Sequence, residues 1–337
     1  MKRKELSLLC CLVCVAGAMA QRVVVHPQKS FPDSVKAGGY SGITWMGDNR
    51  YAVVSDNHQL DGFYIFDIPV DSAGCISQVS EIGFYHNNVD AKDNEGIAWF
   101  PGNQTLFISN ETENQVREFR LDGSYTGRKL LLPQALKGAS RAYGIEALTY
   151  NAQTHRFWLT AESTLSGDGQ RTNDSNGVQN LLRLYSFDDN LKPVGMYAYL
   201  MESPDVEFPT QRYAMGVSAL TALDDGGLLV LEREMAVPES KLGSFVTCRI
   251  FKVHPDYSKA ADCQGDIKNV KPLEKTLLTE WTTAIGLLEF SIANYEGMCL
   301  GPKLPDGGQV LLLLSDSQNQ YAGILADWFR SVVIYEP

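Results

Sequence analysis

Five short segments of the chain share one pattern, and that pattern restricts the fold more than any other feature. They are Ser41-Gly-Ile-Thr-Trp followed by Tyr51–Asp56, Glu95-Gly-Ile-Ala-Trp by Leu106–Glu111, Glu146-Ala-Leu-Thr-Tyr by Phe157–Glu162, Ser218-Ala-Leu-Thr-Ala by Leu228–Glu232, and Glu296-Gly-Met-Cys-Leu by Val310–Asp316. In each, a polar or acidic residue precedes a small one and an apolar one. A turn follows (Gly47-Asp-Asn, Pro101-Gly-Asn, Asn151-Ala-Gln, Asp224-Asp-Gly-Gly, Asp306-Gly-Gly), and then an apolar run that ends in an acid. Short apolar runs on both sides of a turn rich in Gly, Asn and Asp predict a hairpin of buried strands. Self-similarity at such a period marks a repeat architecture.

Third strands are expected at Phe63–Ile68, Gln115–Leu121, Leu181–Phe187, Val246–Val253 and Phe329–Tyr335. Fourth strands are expected at Ile76–Tyr85, Arg128–Leu132, Val194–Leu200 and Glu274–Thr279. The fifth unit reaches Pro337 without one, while Arg22–His26 supplies a β-branched run ahead of the first unit. Both facts fit an all-β propeller of five four-stranded blades, closed by an N-terminal strand that completes the last blade. Closure of this kind removes exposed sheet edges. The anchors Ser41, Glu95, Glu146, Ser218 and Glu296 lie 54, 51, 72 and 78 residues apart. Blades need roughly 40–50 residues. The two long intervals are therefore assigned to long loops, and a degenerate sixth blade is the other solution.

Residues 1–20 read as an export leader: Lys2, Arg3 and Lys4, an apolar run from Leu6 to Ala18, and the small-x-small site Ala18-Met-Ala20. The expected organisation is a leader over 1–20 and one propeller over 21–337, in the periplasm or outside the cell. An N-terminal anchor helix or a lipid anchor is the competing reading, and no later segment is apolar for long enough to cross a bilayer. Losing the leader removes three basic residues and one acid, which takes the net charge from −11 to −13. Such a surface repels nucleic acid and anionic lipid. Of seven cysteines, Cys75, Cys248, Cys263 and Cys299 remain, too few for a disulfide-built fold and without zinc spacing. Cys248 and Cys263 are either paired across a hairpin or, with the other two, buried free thiols.

Antiparallel pairing puts the first residue of one hairpin strand beside the last of the next. Glu95 then sits near Glu111, Glu146 near Glu162, Glu296 near Asp316, Ser41 near Asp56 and Ser218 near Glu232. Rotation about the propeller axis gathers these pairs at one channel mouth. Crowded carboxylates repel, and a hard cation with six to eight oxygen ligands relieves the repulsion. Calcium is the first choice and magnesium the second. The opposing reading makes the same acids strand caps bonded to backbone N–H groups and arginines. Long rim loops add Arg141, Arg171, Arg212 and, after Glu232, Arg233, which can fork onto a phosphate or bridge to the acids. His58 and His86 are rim candidates for acid–base work or simple surface histidines. No G-x-S-x-G elbow, H-E-x-x-H pair, phosphate loop or dinucleotide fingerprint occurs. Ser41, in Gly39-Tyr-Ser-Gly42, lacks the context of a nucleophile.

The segments Asn94-Glu-Gly-Ile-Ala, Gly144-Ile-Glu-Ala-Leu-Thr, Gly216-Val-Ser-Ala-Leu and Leu229-Val-Leu-Glu-Arg233 resemble the phytase-like β-propeller family, named for esterase-like activity of phytase. The resemblance runs from about Gly38 to Tyr335. It implies an exported bacterial protein that hydrolyses phosphate or carboxylic esters, with Glu95, Glu146, Glu232, Arg233 and Glu296 at matching positions. The aspartate-rich motifs of calcium-dependent propeller phytases are missing, which speaks against phytate itself. On these grounds the expected function is metal-assisted ester hydrolysis. Glu95, Glu146 and Glu296 would hold the metal. Glu111, Glu162, Glu232, Asp316 and Asp56 would complete the shell or serve as base. Arg233 with Arg141 or Arg212 would neutralise developing charge. The other reading is a binding propeller for a glycan, peptide or protein, using rim aromatics such as Tyr143, Tyr213, Tyr295, Tyr321 and Trp328.

Overall fold

The structure is a computed structural model and describes residues 21–90, 93–137, 139–140, 143–318, 320 and 325–336. It is a five-bladed β-propeller in which each blade is a four-stranded antiparallel sheet. Strand β1 (Arg22–Val25) stands apart in sequence from the blade it joins. The first blade is β2 (Tyr40–Gly47), β3 (Arg50–Ser55), β4 (Leu60–Asp67) and β5 (Ser80–Asp90). The second is β6 (Asn94–Phe100), β7 (Thr105–Asn110), β8 (Gln115–Arg120) and β9 (Tyr125–Lys129), followed by the single helical turn α1 (Gln134–Lys137). The third is β10 (Ile145–Asn151), β11 (Arg156–Ala161), β12 (Leu181–Phe187) and β13 (Pro193–Leu200). The fourth is β14 (Arg212–Ala222), β15 (Leu228–Val237), β16 (Phe245–Val253) and β17 (Lys275–Ala284). In the fifth, β18 (Asn294–Lys303), β19 (Gln309–Asp316) and β20 (Phe329–Tyr335) are completed by β1, with Val24 opposite Val333.

All five third strands form where the sequence predicts them, β12 and β20 to the residue, whereas β4 starts three residues early at Leu60. Three fourth strands shift: β9 starts three residues before the expected Arg128, β5 runs from Ser80 on to Asp90, and β17 runs on to Ala284. A sixth blade is not formed among the described residues. The long third and fourth intervals hold the loops 163–180, 201–211 and 254–274 instead.

Five apolar clusters fill the five gaps between neighbouring blades. Phe107 and Phe157 meet between the second and third blades, Tyr51, Phe66 and Leu312 between the fifth and first. Trp158 and Val230 meet between the third and fourth, Leu231 and Leu313 between the fourth and fifth, and Phe63 and Leu106 between the first and second. Each sheet therefore buries both faces, which is why its second strand reads as a continuous apolar run rather than an alternating one. Cys248 is buried in the cluster between the fourth and fifth blades, whereas Cys263 packs between the second and third, so the two do not pair. Cys75 and Cys263 are only half-buried, which corrects the expectation of four buried thiols.

The small residue after each anchor has a steric cause. The inner strands crowd around the axis, and a methyl group on Gly96 would stand 2.6 Å from the Glu146 carbonyl oxygen of the next blade. Gly96→Ala is expected to push the second and third blades apart and to cost about 1–3 kcal/mol, read by chemical denaturation.

Candidate functional site

All five anchors occupy the same structural defect. The pairing of β2 with β3 shifts between Tyr40 and Gly42, skipping Ser41. The same shift skips Glu95 with Gly96, Glu146, Ser218 and Glu296. Each anchor is thus a β-bulge, a device that releases a residue from the ladder and re-aims its side chain. The two serines bond to the next blade: Ser41 Oγ donates to the Asn94 carbonyl at 2.7 Å, and Ser218 Oγ to that of Tyr295 at 3.1 Å. Ser41 is therefore a blade-to-blade tie. The three glutamates instead converge, and one carboxylate oxygen from each lies within 4.8 Å of the others.

Four more carboxylates surround this trio. Asp56, Glu111, Glu162 and Asp316 each sit one residue beyond the partner of the residue preceding the bulge. In the fourth blade that place is held by Arg233, because Val217 pairs with Glu232. Glu232 occupies the position of Ser55, Asn110, Ala161 and Ser315 in the other blades, which corrects its expected place at the mouth. With side chains alternating along a strand, the one-residue offset turns Glu232 to the other face of β15. There it accepts from Tyr199 Oη (2.6 Å), the Glu202 N–H (3.1 Å) and Lys275 Nζ (2.7 Å). Glu234, on the same face, accepts from the Asp205 N–H at 2.9 Å and from Tyr213 Oη at 3.0 Å. These two acids pin the 201–211 loop and stay away from the channel.

Arg233 is buried and is the counter-charge of the ring. It donates to Glu162 Oε1 at 2.5 Å, to Asn294 Oδ1 at 2.8 Å and to Glu296 Oε1. Its Nε, also buried, has no partner among the described residues. So committed, the guanidinium cannot fork onto a substrate anion as the sequence suggested. Asn294, which the sequence reading passed over, donates to Glu296 Oε1 at 2.7 Å and so orders both partners. Its only trace in the sequence is that an asparagine precedes the anchor closely in two blades, at Asn94 and Asn294.

Among the described residues, seven carboxylates thus face one guanidinium. No described residue donates a hydrogen bond to the Glu95 or Glu146 carboxylate, and burial, followed by the charge of neighbouring acids, pushes both well above the ordinary range. Burial raises Glu296 to about 8, against the pull of Arg233. Asp56, Glu111 and Asp316 are raised to about 7, again chiefly by burial. Glu111 is restrained by the Gly144 N–H, which donates to it at 2.5 Å. Asp56 Oδ1 is buried without a partner among the described residues, and a methyl group on Gly39 would lie against that oxygen and 3.0 Å from Asp316 Oδ1. All donors to the centre are carboxylate oxygens, the chemistry of a hard cation site.

Beneath the ring lies a cavity of only about 10 Å³, lined by the anchors Ser41, Glu146, Ser218 and Glu296 and by Ile43, Ile97, Leu148, Leu220 and Met298. That room suits one ion or water. Arg171 is exposed and lies 3.7 Å over the ring of Tyr143, the residue before the Gly144 that binds Glu111. Asp168 is bound by Arg183 through two 2.6 Å bonds, which braces the 163–180 loop. Arg212 is exposed at the start of β14, where it lines a groove with Met235 and Ile292. Arg141, Tyr321 and the leader at 1–20 lie outside the described residues. His58, in the loop between β3 and β4, and His86, on the outer strand β5, both pack on Phe84.

Residues 35–318 match the family model Phytase-like, described as "Esterase-like activity of phytase". No curated protein matches the sequence. Among solved structures, a member of the DUF4221 family from Bacteroides vulgatus aligns at 10% identity and a TM-score of 0.41, covering 94% of this chain and 99% of its own. A streptogramin B lyase aligns at 11% identity and 0.37, covering 94% and 98%. A gluconolactonase from Xanthomonas campestris aligns at 10% identity and 0.37, covering 94% and 91%. At this similarity none of the three bears on the chemistry.

Proposed function

Since the chain belongs to the phytase-like family, we propose that it is a metal-assisted ester hydrolase, with a divalent cation held by Glu95, Glu146 and Glu296. One observation carries this reading: three buried carboxylates from three blades converge, and two of them have no hydrogen-bond donor among the described residues. Calcium fits the all-oxygen donor set better than magnesium, which keeps more of its water. When bound, such a cation supplies Lewis acidity toward an ester oxygen and acidifies a coordinated water.

The protein's own groups divide the remaining work. Glu95 and Glu146 offer uncommitted oxygens, while Glu296 is oriented by Asn294 and Arg233. Glu111, raised to about 7, is poised to take a proton from the attacking water near neutral pH. Arg171, held on Tyr143, is placed to meet the anionic part of a substrate. The small cavity admits little more than the reacting oxygen, so the body of the ester rests against the 163–180 and 201–211 loops. A phosphate ester is the preferred substrate class, because the mouth also carries this guanidinium.

The leader-like composition of residues 1–20 supports an exported protein. No helix among the described residues is long and apolar enough to cross a membrane. A binding propeller without catalysis is the second reading, supported by the narrowness of the cavity under the ring.

Hydrolysis of a generic phosphate monoester and of a carboxylic ester, measured with calcium or a chelator, separates the two. Chelation or Glu146→Gln is expected to cut turnover by about 100-fold or more, given that even residues supporting metal ligands are worth about 10–100-fold. Turnover that survives both changes, or none on either ester with calcium present, would refute the hydrolase.

A further inference from the structure

The same inner strands open at their other ends into a second cavity, of about 210 Å³. Ile43, Ile97, Leu148, Leu220 and Met298 line both cavities and form an apolar waist between them. The second mouth has a different chemistry from the acidic one. Trp45, Trp99 and Tyr150 take the same register position in the first three blades, opposite Tyr51, Leu106 and Phe157, and give the cavity aromatic walls.

Its polar groups are mixed in kind. Thr44 Oγ1 accepts the backbone N–H of Trp99 at 3.1 Å and Thr149 Oγ1 that of Ala222 at 3.2 Å, so each hydroxyl hydrogen remains available to a ligand. Thr221 Oγ1 spends its hydrogen on the Met298 carbonyl at 2.9 Å and keeps its lone pairs. Gln309 Nε2 is bound to the Gly301 and Val310 carbonyls, which leaves Oε1 as an acceptor. Asp224 adds an exposed carboxylate at the edge.

We propose that this opposite mouth binds a neutral hexopyranose ring, as a free sugar or at the end of a glycan. Among the described residues no lysine, arginine or histidine lines the cavity, so none of them neutralises a phosphate or carboxylate there. A quaternary ammonium would suit the aromatic walls but could not use the threonine donors. Sugar hydroxyls donate and accept at once and match the alternating set, while the ring's C–H face packs on an indole. The volume is below the ~300–1,000 Å³ of pockets for drug-sized ligands, which is room for one ring. The waist separates this site from the carboxylates, so the inference stands apart from the hydrolase reading.

The test is a tryptophan-fluorescence titration of the whole protein with glucose, galactose, mannose and N-acetylglucosamine, and with choline chloride and inorganic phosphate as contrasts. A saturable response to at least one sugar is expected, unchanged by chelator and weakened at least tenfold by Trp99→Ala and by Asp224→Ala. Asp224 lies on an exposed turn, so its variant keeps the test meaningful should Trp99→Ala fail to fold. Silence toward all four sugars, a response to choline or phosphate in their place, loss of sugar binding with chelator, or a sugar response that Asp224→Ala leaves intact would overturn the proposal.

Discussion

Arg233→Met is expected to destabilise the protein by about 3–5 kcal/mol at pH 7.5, the usual loss when one partner of a buried ion pair is removed. The side chain is buried, and its guanidinium holds Glu162, Glu296 and Asn294 together. Methionine fills much of the volume, so the loss reports charge more than packing. Without the arginine, in metal-free protein, Glu162 and Glu296 face Glu95, Glu146 and Asp316 with no other described residue to offset their repulsion. The penalty shrinks once the carboxylates protonate, and urea denaturation at pH 5 should recover a good part of it. A loss under 1 kcal/mol at pH 7.5, or one equal at both pH values, would show that Arg233 is not the counter-charge of the ring.

The second large effect is a fall in stability as pH rises, with a reversal by calcium. Glu296 is raised to about 8 and Asp56, Glu111 and Asp316 to about 7, all above their ordinary range near 4. Groups raised in this way bind protons more tightly in the folded state than in the unfolded state. Their contribution is complete below pH 4 and is lost as pH climbs through 7 to 8. Each such proton is worth about 1.4 kcal/mol per pH unit while only the folded state holds it. Metal-free protein is therefore expected to melt on the order of 10 °C lower at pH 8 than at pH 5. Millimolar calcium should restore most of the loss at pH 8 and do little at pH 5, where protons already occupy the oxygens. Melting that rises between pH 5 and pH 8 without metal would contradict the burial of these carboxylates.

Much of this arrangement can be read from the sequence, because the repeat makes one blade teach the next. The polar-small-apolar anchors, the turns and the acid at the end of the second strand fix the hairpins, and the missing fourth strand of the fifth unit points to β1. Leu181–Phe187 and Phe329–Tyr335 carry enough apolar character to be placed to the residue. Outer strands such as β9 are short and half exposed, with little pattern to set their limits. Two features of the site escape such reading. A bulge adds a residue to one strand without marking the sequence, so the turning of Glu95, Glu146 and Glu296 toward the axis depends on three-dimensional pairing. A run of apolar residues also hides its phase. Leu229-Val-Leu-Glu looks like the other repeat ends, yet its glutamate is one place early, and only the pairing with β14 reveals that Arg233 is the equivalent of Glu162.

Calorimetric titration of metal-free protein with calcium at pH 7.5, repeated in two buffers of different ionisation heat, bears on the central idea most directly. One calcium per chain, with protons released on binding and both signals abolished in the Glu95→Gln, Glu146→Gln, Glu296→Gln triple variant, is the expected result. Absence of binding, or binding that the triple variant retains without proton release, would mean that the three glutamates hold no cation.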